Sequence, residues 1–161
     1  MRRGLCLGLA FACLVGVAAA AAYASTRGGD LNRPMTIRVQ ITLCGQPGTD
    51  CASIDQPPSG ASLGDEFLFN VPTTRHGHRV GAGVGNCVAV SLAGNGTDEC
   101  ETTFTFKGGT VQVDGLFHFG GPGTRSTFAV TGGTGFFRNA RGEVTNVVGT
   151  NANTAVFHLI P

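Results

Sequence analysis

The chain carries almost no net charge and no clustered basic stretch: its formal charge is +1 over 161 residues. Nucleic acids and anionic lipid surfaces are held by concentrated Lys and Arg, so neither partner is expected. Beyond the N-terminal leader, apolar residues never recur at helical spacing, which excludes an α-helical domain. Tryptophan is absent. No hydrolase triad, nucleotide loop or metal motif is present either. Gly81-Ala82-Gly83-Val84-Gly85 looks like a dinucleotide loop only superficially. Its flanks are strand-like and no helix follows to receive a phosphate. Glycine at alternate strand positions instead lets a sheet bend or lets a ligand come close. No cofactor is expected.

What is present begins with an export signal. Arg2 and Arg3 supply a positive start, an apolar run extends from Leu5 to Ala22, and Ala22-Tyr23-Ala24 offers the small residues a signal peptidase reads. Residues 1–24 are therefore expected to be a signal peptide cleaved after Ala24. The competing reading is a membrane anchor, but the run is alanine-heavy and only borderline in length for a span. The expected destination is secreted, extracellular or periplasmic, with no stable membrane anchor. Without the leader, Lys plus Arg falls from 11 to 9 against 10 Asp plus Glu, a charge near −1.

Six cysteines fall to four: Cys44, Cys51, Cys87 and Cys100. An even number in an exported chain reads as disulfides. Cys44–Cys51 and Cys87–Cys100 are the expected pairs because each spans one evident turn. Each would stabilise the fold by about 2–3 kcal/mol. The rival is a zinc site built from all four, but no pair has the C-x-x-C spacing that zinc knuckles favour.

After a polar, loose stretch over residues 25–34, the pattern is that of strands. Ile37, Val39, Ile41 and Leu43 alternate with Arg38, Gln40 and Thr42, the signature of a half-buried strand over Met35–Leu43. Residues 44–64 read as a long loop pinned by the first disulfide. Seven more strands are expected at Glu66–Val71, Val80–Leu92, Glu99–Lys107, Thr110–Phe119, Ser126–Thr131, Gly142–Gly149 and Thr154–Ile160. Eight short strands joined by glycine turns point to a closed antiparallel barrel or a sandwich. Gly108-Gly109 suits a two-residue turn. That would pair Lys107 with Thr110, Phe106 with Val111 and Phe104 with Val113, placing Cys100 opposite Phe117.

Two side-chain sets are candidates for other chemistry. His76-Gly77-His78-Arg79 is the densest polar cluster. Two histidines two apart on a strand share a face and can ligate a metal, but no third ligand is apparent, so a solvated loop is expected and no metal site is assigned. Asn95-Gly96-Thr97 fits an N-glycosylation sequon, relevant only to a eukaryotic secretory pathway.

The most specific pattern is C-terminal: Thr131-Gly132-Gly133-Thr134-Gly135-Phe136-Phe137-Arg138-Asn139-Ala140-Arg141-Gly142. It resembles the TGGTG-x-[FY]-x-x-ARG signature of the allene oxide cyclase and dirigent protein superfamily. Gly64-Asp65-Glu66-Phe67-Leu68-Phe69-Asn70, then Arg79-Val80-Gly81 through Cys87, then Phe104 through Gly115, resemble the family's upstream blocks in the same order. The resemblance spans about residues 35–160 and implies an all-β, calycin-like fold over residues 35–161. That fold is an eight-stranded antiparallel β-barrel, often a homotrimer, with an apolar cavity.

In that family the cavity holds a reactive epoxide or phenoxy radicals while a ring or bond forms with one handedness. The resemblance thus implies a small hydrophobic partner and isomerase- or cyclase-like or dirigent-type chemistry. The first strand lacks the carboxylate of the cyclases, and Asn70 stands near the position of the dirigent aspartates. Asn70 and Arg141 are the catalytic candidates, with a rim hydrogen-bond donor as the plainer role for Arg141. Phe67, Phe69, Phe104, Phe106 and Phe117 are the ligand-binding candidates. The alternative is a non-catalytic binding or structural barrel whose core is filled by the ten phenylalanines beyond the leader. If the leader is cleaved as expected, N-terminal sequencing of exported protein begins at Ser25; a start at Met1 in a membrane fraction would contradict it.

Overall fold

The computed structural model describes Leu31 and residues 33–161. The expected signal peptide lies outside the described residues, as do residues 25–30 and 32. Nine strands follow in chain order: β1 (Met35–Thr42), β2 (Asp50–Ile54), β3 (Glu66–Arg75), β4 (His78–Ser91), β5 (Thr97–Phe106), β6 (Gly109–His118), β7 (Arg125–Gly133), β8 (Arg141–Val147) and β9 (Ala152–Ile160). From β3 to β9 each strand pairs antiparallel with the next, β9 pairs with β1, and β1 closes the ring on β3. Eight strands therefore form a closed antiparallel barrel. Among the described residues no helix is long and apolar enough to cross a membrane.

Alternation puts one face of every strand inside. On β5, Asp98, Cys100, Thr102 and Phe104 are buried while Glu99, Glu101 and Thr105 are exposed. The ladder carries the inward set across neighbours: Gly83 faces Phe104, Cys87 faces Cys100, and Phe67 faces Cys87. Gly81, Gly83 and Gly85 occupy successive inward positions of β4. A Cβ on Gly83 would come within 3.0 Å of the Phe104 ring, and one on Gly85 within 2.9 Å of the Phe69 ring. These glycines leave the space that the two rings fill.

Three expectations are corrected. Residues 44–64 are not one loop, because β2 pairs with the first half of β3, from Asp50 opposite Asn70 to Ile54 opposite Glu66. β1 reaches β3 only at Thr73 and Thr74, so the edge beyond them needs another partner for its backbone groups. The β5–β6 turn is Lys107-Gly108, with Phe106 paired to Gly109 and Phe104 to Val111. Cys100 accordingly faces Gly115, and Asp98 faces Phe117. The shift of two residues keeps every side chain on its expected face. Its cause is Gly109, where a Cβ would strike the Thr134 carbonyl oxygen, so this glycine sits in the ladder against the neighbouring loop. Leu31, read as part of a loose stretch, is 4% exposed and packs into the core.

Both expected disulfides are formed. Cys44–Cys51 ties the end of β1 to β2. Cys87–Cys100 joins directly paired residues of β4 and β5, with Cα atoms 4.0 Å apart.

One end of the barrel is filled. Phe157 is fully buried, with the Phe104 and Phe106 rings edge-on to it at centroid distances of 4.9 and 5.4 Å. Phe137 closes against Phe106 at 5.8 Å. The glycine-rich signature builds this closure. The Thr134 N–H donates to the Thr110 carbonyl oxygen, the Phe136 N–H donates to that of Gly108, and a 3-10 turn over Gly135–Phe137 turns Phe137 inward. Gly135 has φ +58, and a Cβ there would meet the Gly108 carbonyl oxygen, so glycine is required. Phe157→Ala is expected to lower the unfolding free energy by about 3–5 kcal/mol in urea titrations, whereas Phe136→Ala, at a 38% exposed ring, should cost less than half as much.

Candidate functional site

The other end is open. Below the filled half, the barrel holds a cavity of about 290 Å³ that reaches the rim near Leu43, Cys44 and Phe119. Its floor is Phe104, seated on Phe157. Its walls are Phe67, Phe69 and Val71 from β3, Val113 and Phe117 from β6, Phe128 from β7 and Val144 from β8. The Cys87–Cys100 bridge forms part of the same wall.

Polar groups are few and sit in a collar at the mouth. Asp98 is the second residue of β5, Asn146 the last but one of β8, and Asn153 the second of β9; all three line the cavity, with Thr102 deeper on β5. Asp98 is 8% exposed and Asn146 5% exposed. The Asn153 Oδ1 accepts a hydrogen bond from the Gly149 N–H at 3.2 Å. The Asn146 Oδ1 is buried and has no hydrogen-bond partner among the described residues. Ser126, paired with Asn146, accepts the His118 N–H on its Oγ at 2.9 Å.

Among the described residues Asp98 is the only ionisable group in the lining. Burial raises its pKa above the ordinary carboxylate value, and the nearby Asp65 charge raises it further. Asp65 is placed by the loop ahead of β3, which docks on β4 through Gly64 N–H to Ala89 O (2.9 Å) and Ala89 N–H to Asp65 O (2.8 Å). Ala89 is the residue paired with Asp98. Asp65 itself accepts from the Ser62 N–H (2.8 Å), the Gln56 N–H (2.9 Å) and the Ser62 hydroxyl (2.8 Å), and these bonds hold its pKa low. A firmly ionised carboxylate thus stands beside one that resists ionisation. Protonated, such a group can donate a proton or a hydrogen bond; ionised, it can accept one.

The residues expected from sequence divide clearly. Phe67, Phe69, Phe104 and Phe117 line the cavity; Phe106 belongs to the aromatic filling instead. Asn70 is exposed and, one residue from inward Phe69, lies on the outer wall opposite Val84 and Asp50. Arg141 is exposed at the start of β8, at the filled end, paired with Ile160. Neither catalytic candidate reaches the cavity. His76 and Gly77 form the β3–β4 turn, also at the filled end, with His76 at φ 51. Among the described residues no three His, Cys, Asp or Glu side chains cluster as metal ligands.

No family model matches the chain, and no curated protein does. Solved structures do. The chain is similar to a pyocyanin demethylase, with a TM-score of 0.67 and 25% identity over 78% of this chain and 100% of that one. It is similar to AbnU, an exo-specific intermolecular Diels-Alderase, with a TM-score of 0.61 and 12% identity over 78% of this chain and 97% of that one. A third likeness is to the Diels-Alderase AbmU from Streptomyces koyangensis, with a TM-score of 0.58 and 15% identity over 78% of this chain and 65% of that one. The two lower identities show a shared barrel fold alone.

Asp98 was missed because the sequence reading began its strand at Glu99. The signal was available: Asp98 continues the inward series of Cys100, Thr102 and Phe104. Its raised pKa has a signed consequence. The folded state favours neutral Asp98, so its unfavourable effect is absent at low pH. Stability is lost as pH rises from the unfolded carboxylate value through the raised folded one. Asp98→Asn is therefore expected to raise the melting temperature near pH 8 and change it little near pH 3, by thermal melts across pH; a loss of stability at both would contradict this placement.

Proposed function

We propose that the chain is an exported barrel protein that takes a small, largely apolar molecule into the mouth cavity and steers its cyclisation or coupling. This is chemistry of the kind the allene oxide cyclase and dirigent resemblance implies. The observation that carries the reading is a single nearly buried carboxyl, Asp98, set in the collar of an otherwise apolar cavity. Apolar walls with one or two fixed polar groups bind such molecules and limit their conformers. In the cyclases of that family the first strand supplies a carboxylate; here β5 supplies one from a different wall. Asp98 is the proposed proton donor or acceptor, and the amides of Asn146 and Asn153 orient the bound molecule.

The likeness to a demethylase and to two Diels-Alderases supports a barrel that acts on small molecules. Two disulfides support an oxidising destination, in keeping with the expected export signal. The filled-barrel alternative is not favoured, because the aromatic filling stops at Phe104 and leaves the mouth half open.

Cavity-filling variants test the reading. The purified barrel is expected to bind one molecule of the neutral fluorescent probe phenylnaphthylamine. Val113→Phe and Val71→Phe, each at a cavity-lining valine, should weaken binding about tenfold or more, the effect of losing roughly 1.4 kcal/mol. Wild-type protein that binds no probe, or filled variants that keep their cooperative melts and bind as wild type does, would reject the cavity as the site. Once a substrate is found, Asp98→Asn is expected to lower turnover by about 10²–10⁴-fold.

A further inference from the structure

We infer that the mouth cavity selects an apolar organic cation, an amine or a protonated nitrogen heterocycle, over an equally shaped carboxylate. The inference rests on the proposed ligand-binding role of the cavity and names the ligand class. Its basis is the inventory of charge and of unfilled acceptors around the mouth.

Among the described residues no Lys, Arg or His lines the cavity, so an anionic ligand meets no countercharge from them there. What it meets is Asp98 inside and Asp65 beside it. Among the described residues no Lys or Arg is paired with Asp98 in the sheet. Its β4 partner is Ala89 and its β6 partner is Phe117. His118, next along β6, contacts the Thr97 hydroxyl at 3.2 Å and is exposed. Burying a carboxylate against two acidic groups is strongly unfavourable without a paired cation.

The hydrogen-bonding inventory points the same way. The Asn146 Oδ1 is an acceptor without a donor, in a side chain only 5% exposed. An ionised Asp98 offers two more acceptor oxygens, and no hydrogen bond reaches its carboxylate among the described residues. A ligand bearing N–H groups supplies donors to both walls of the collar, and its positive charge lets Asp98 stay ionised in an apolar setting. The desolvation that resists an empty ionised Asp98 is thereby offset by pairing. The hydrocarbon part of such a ligand meets Phe67, Phe69, Phe104 and Phe117, whose ring faces also attract cations.

The test uses three probes of one shape, measured by calorimetry on the mature protein at neutral pH: naphthylmethylammonium, naphthalenemethanol and naphthoate. The ammonium probe is expected to bind about tenfold or more tightly than naphthoate, with the alcohol between them. In Asp98→Asn that preference should collapse to within about threefold, through weaker ammonium and stronger naphthoate binding. Naphthoate binding as tightly as the ammonium in wild type, or a preference unchanged in Asp98→Asn, would overturn the inference while leaving the cavity reading intact. Failure of the neutral alcohol to bind would instead overturn the cavity reading, and the inference with it.

Discussion

The packing of Phe157 between the rings of Phe104 and Phe106 divides this barrel in two. An eight-stranded barrel has an interior just wide enough for side chains to fill. Here they fill only one half. Phe137 comes in from the 3-10 turn and Phe106 from β5, and both meet at the end where Arg141, His76 and the Gly133 loop also lie. The cavity begins where that filling stops, on the exposed side of the Phe104 ring. The inward glycines of β4 belong to the same arrangement. Without Cβ atoms they let Phe104 and Phe69 lie against the wall, so the rings line the cavity where larger neighbours would push them across it.

The electrostatics of the open half follow from its walls. Apolar rings exclude water, and a carboxyl placed among them resists ionisation. A second carboxylate, Asp65, is kept charged by three short hydrogen bonds in the adjacent loop. The two acids respond to protons in opposite directions because one is surrounded by donors and the other by hydrocarbon. That contrast places a carboxyl that resists ionisation inside the mouth and a charged one beside it. It also explains why few polar groups suffice. On the proposed reading, a cavity that holds a molecule in one shape leaves most of the selecting to its walls.

Much of the fold was legible in the sequence because alternation survives errors of strand boundary. Phe104, Phe106, Val111 and Val113 point inward whether the turn is Gly108-Gly109 or Lys107-Gly108, since the two registers differ by an even number of residues. The disulfide pairs were legible because each bridges a short separation, 7 and 13 residues. β2 was not legible: Asp50–Ile54 has no alternating apolar pattern, and it forms because β3 has an edge to cover. Four of the five phenylalanines line the cavity. Asn70 was chosen by correspondence with a family position, although the alternation that turns Phe67 and Phe69 inward turns Asn70 out. The signature around Gly133 proved to be the scaffold of the filled end, so its specificity carried information about fold and none about the site.

The division of the barrel into a filled end and an open, acid-collared mouth can be tested by crystallising the protein with naphthalenemethanol. The expected result is a single bound molecule between Phe69, Phe104 and Phe117, with its hydroxyl turned to Asp98 or Asn146 and no ligand at the Phe157 end. Density confined to the outer groove beside Arg38, Arg125 and His158, or a mouth closed by Phe67 and Phe117 collapsing onto Phe104, would contradict it.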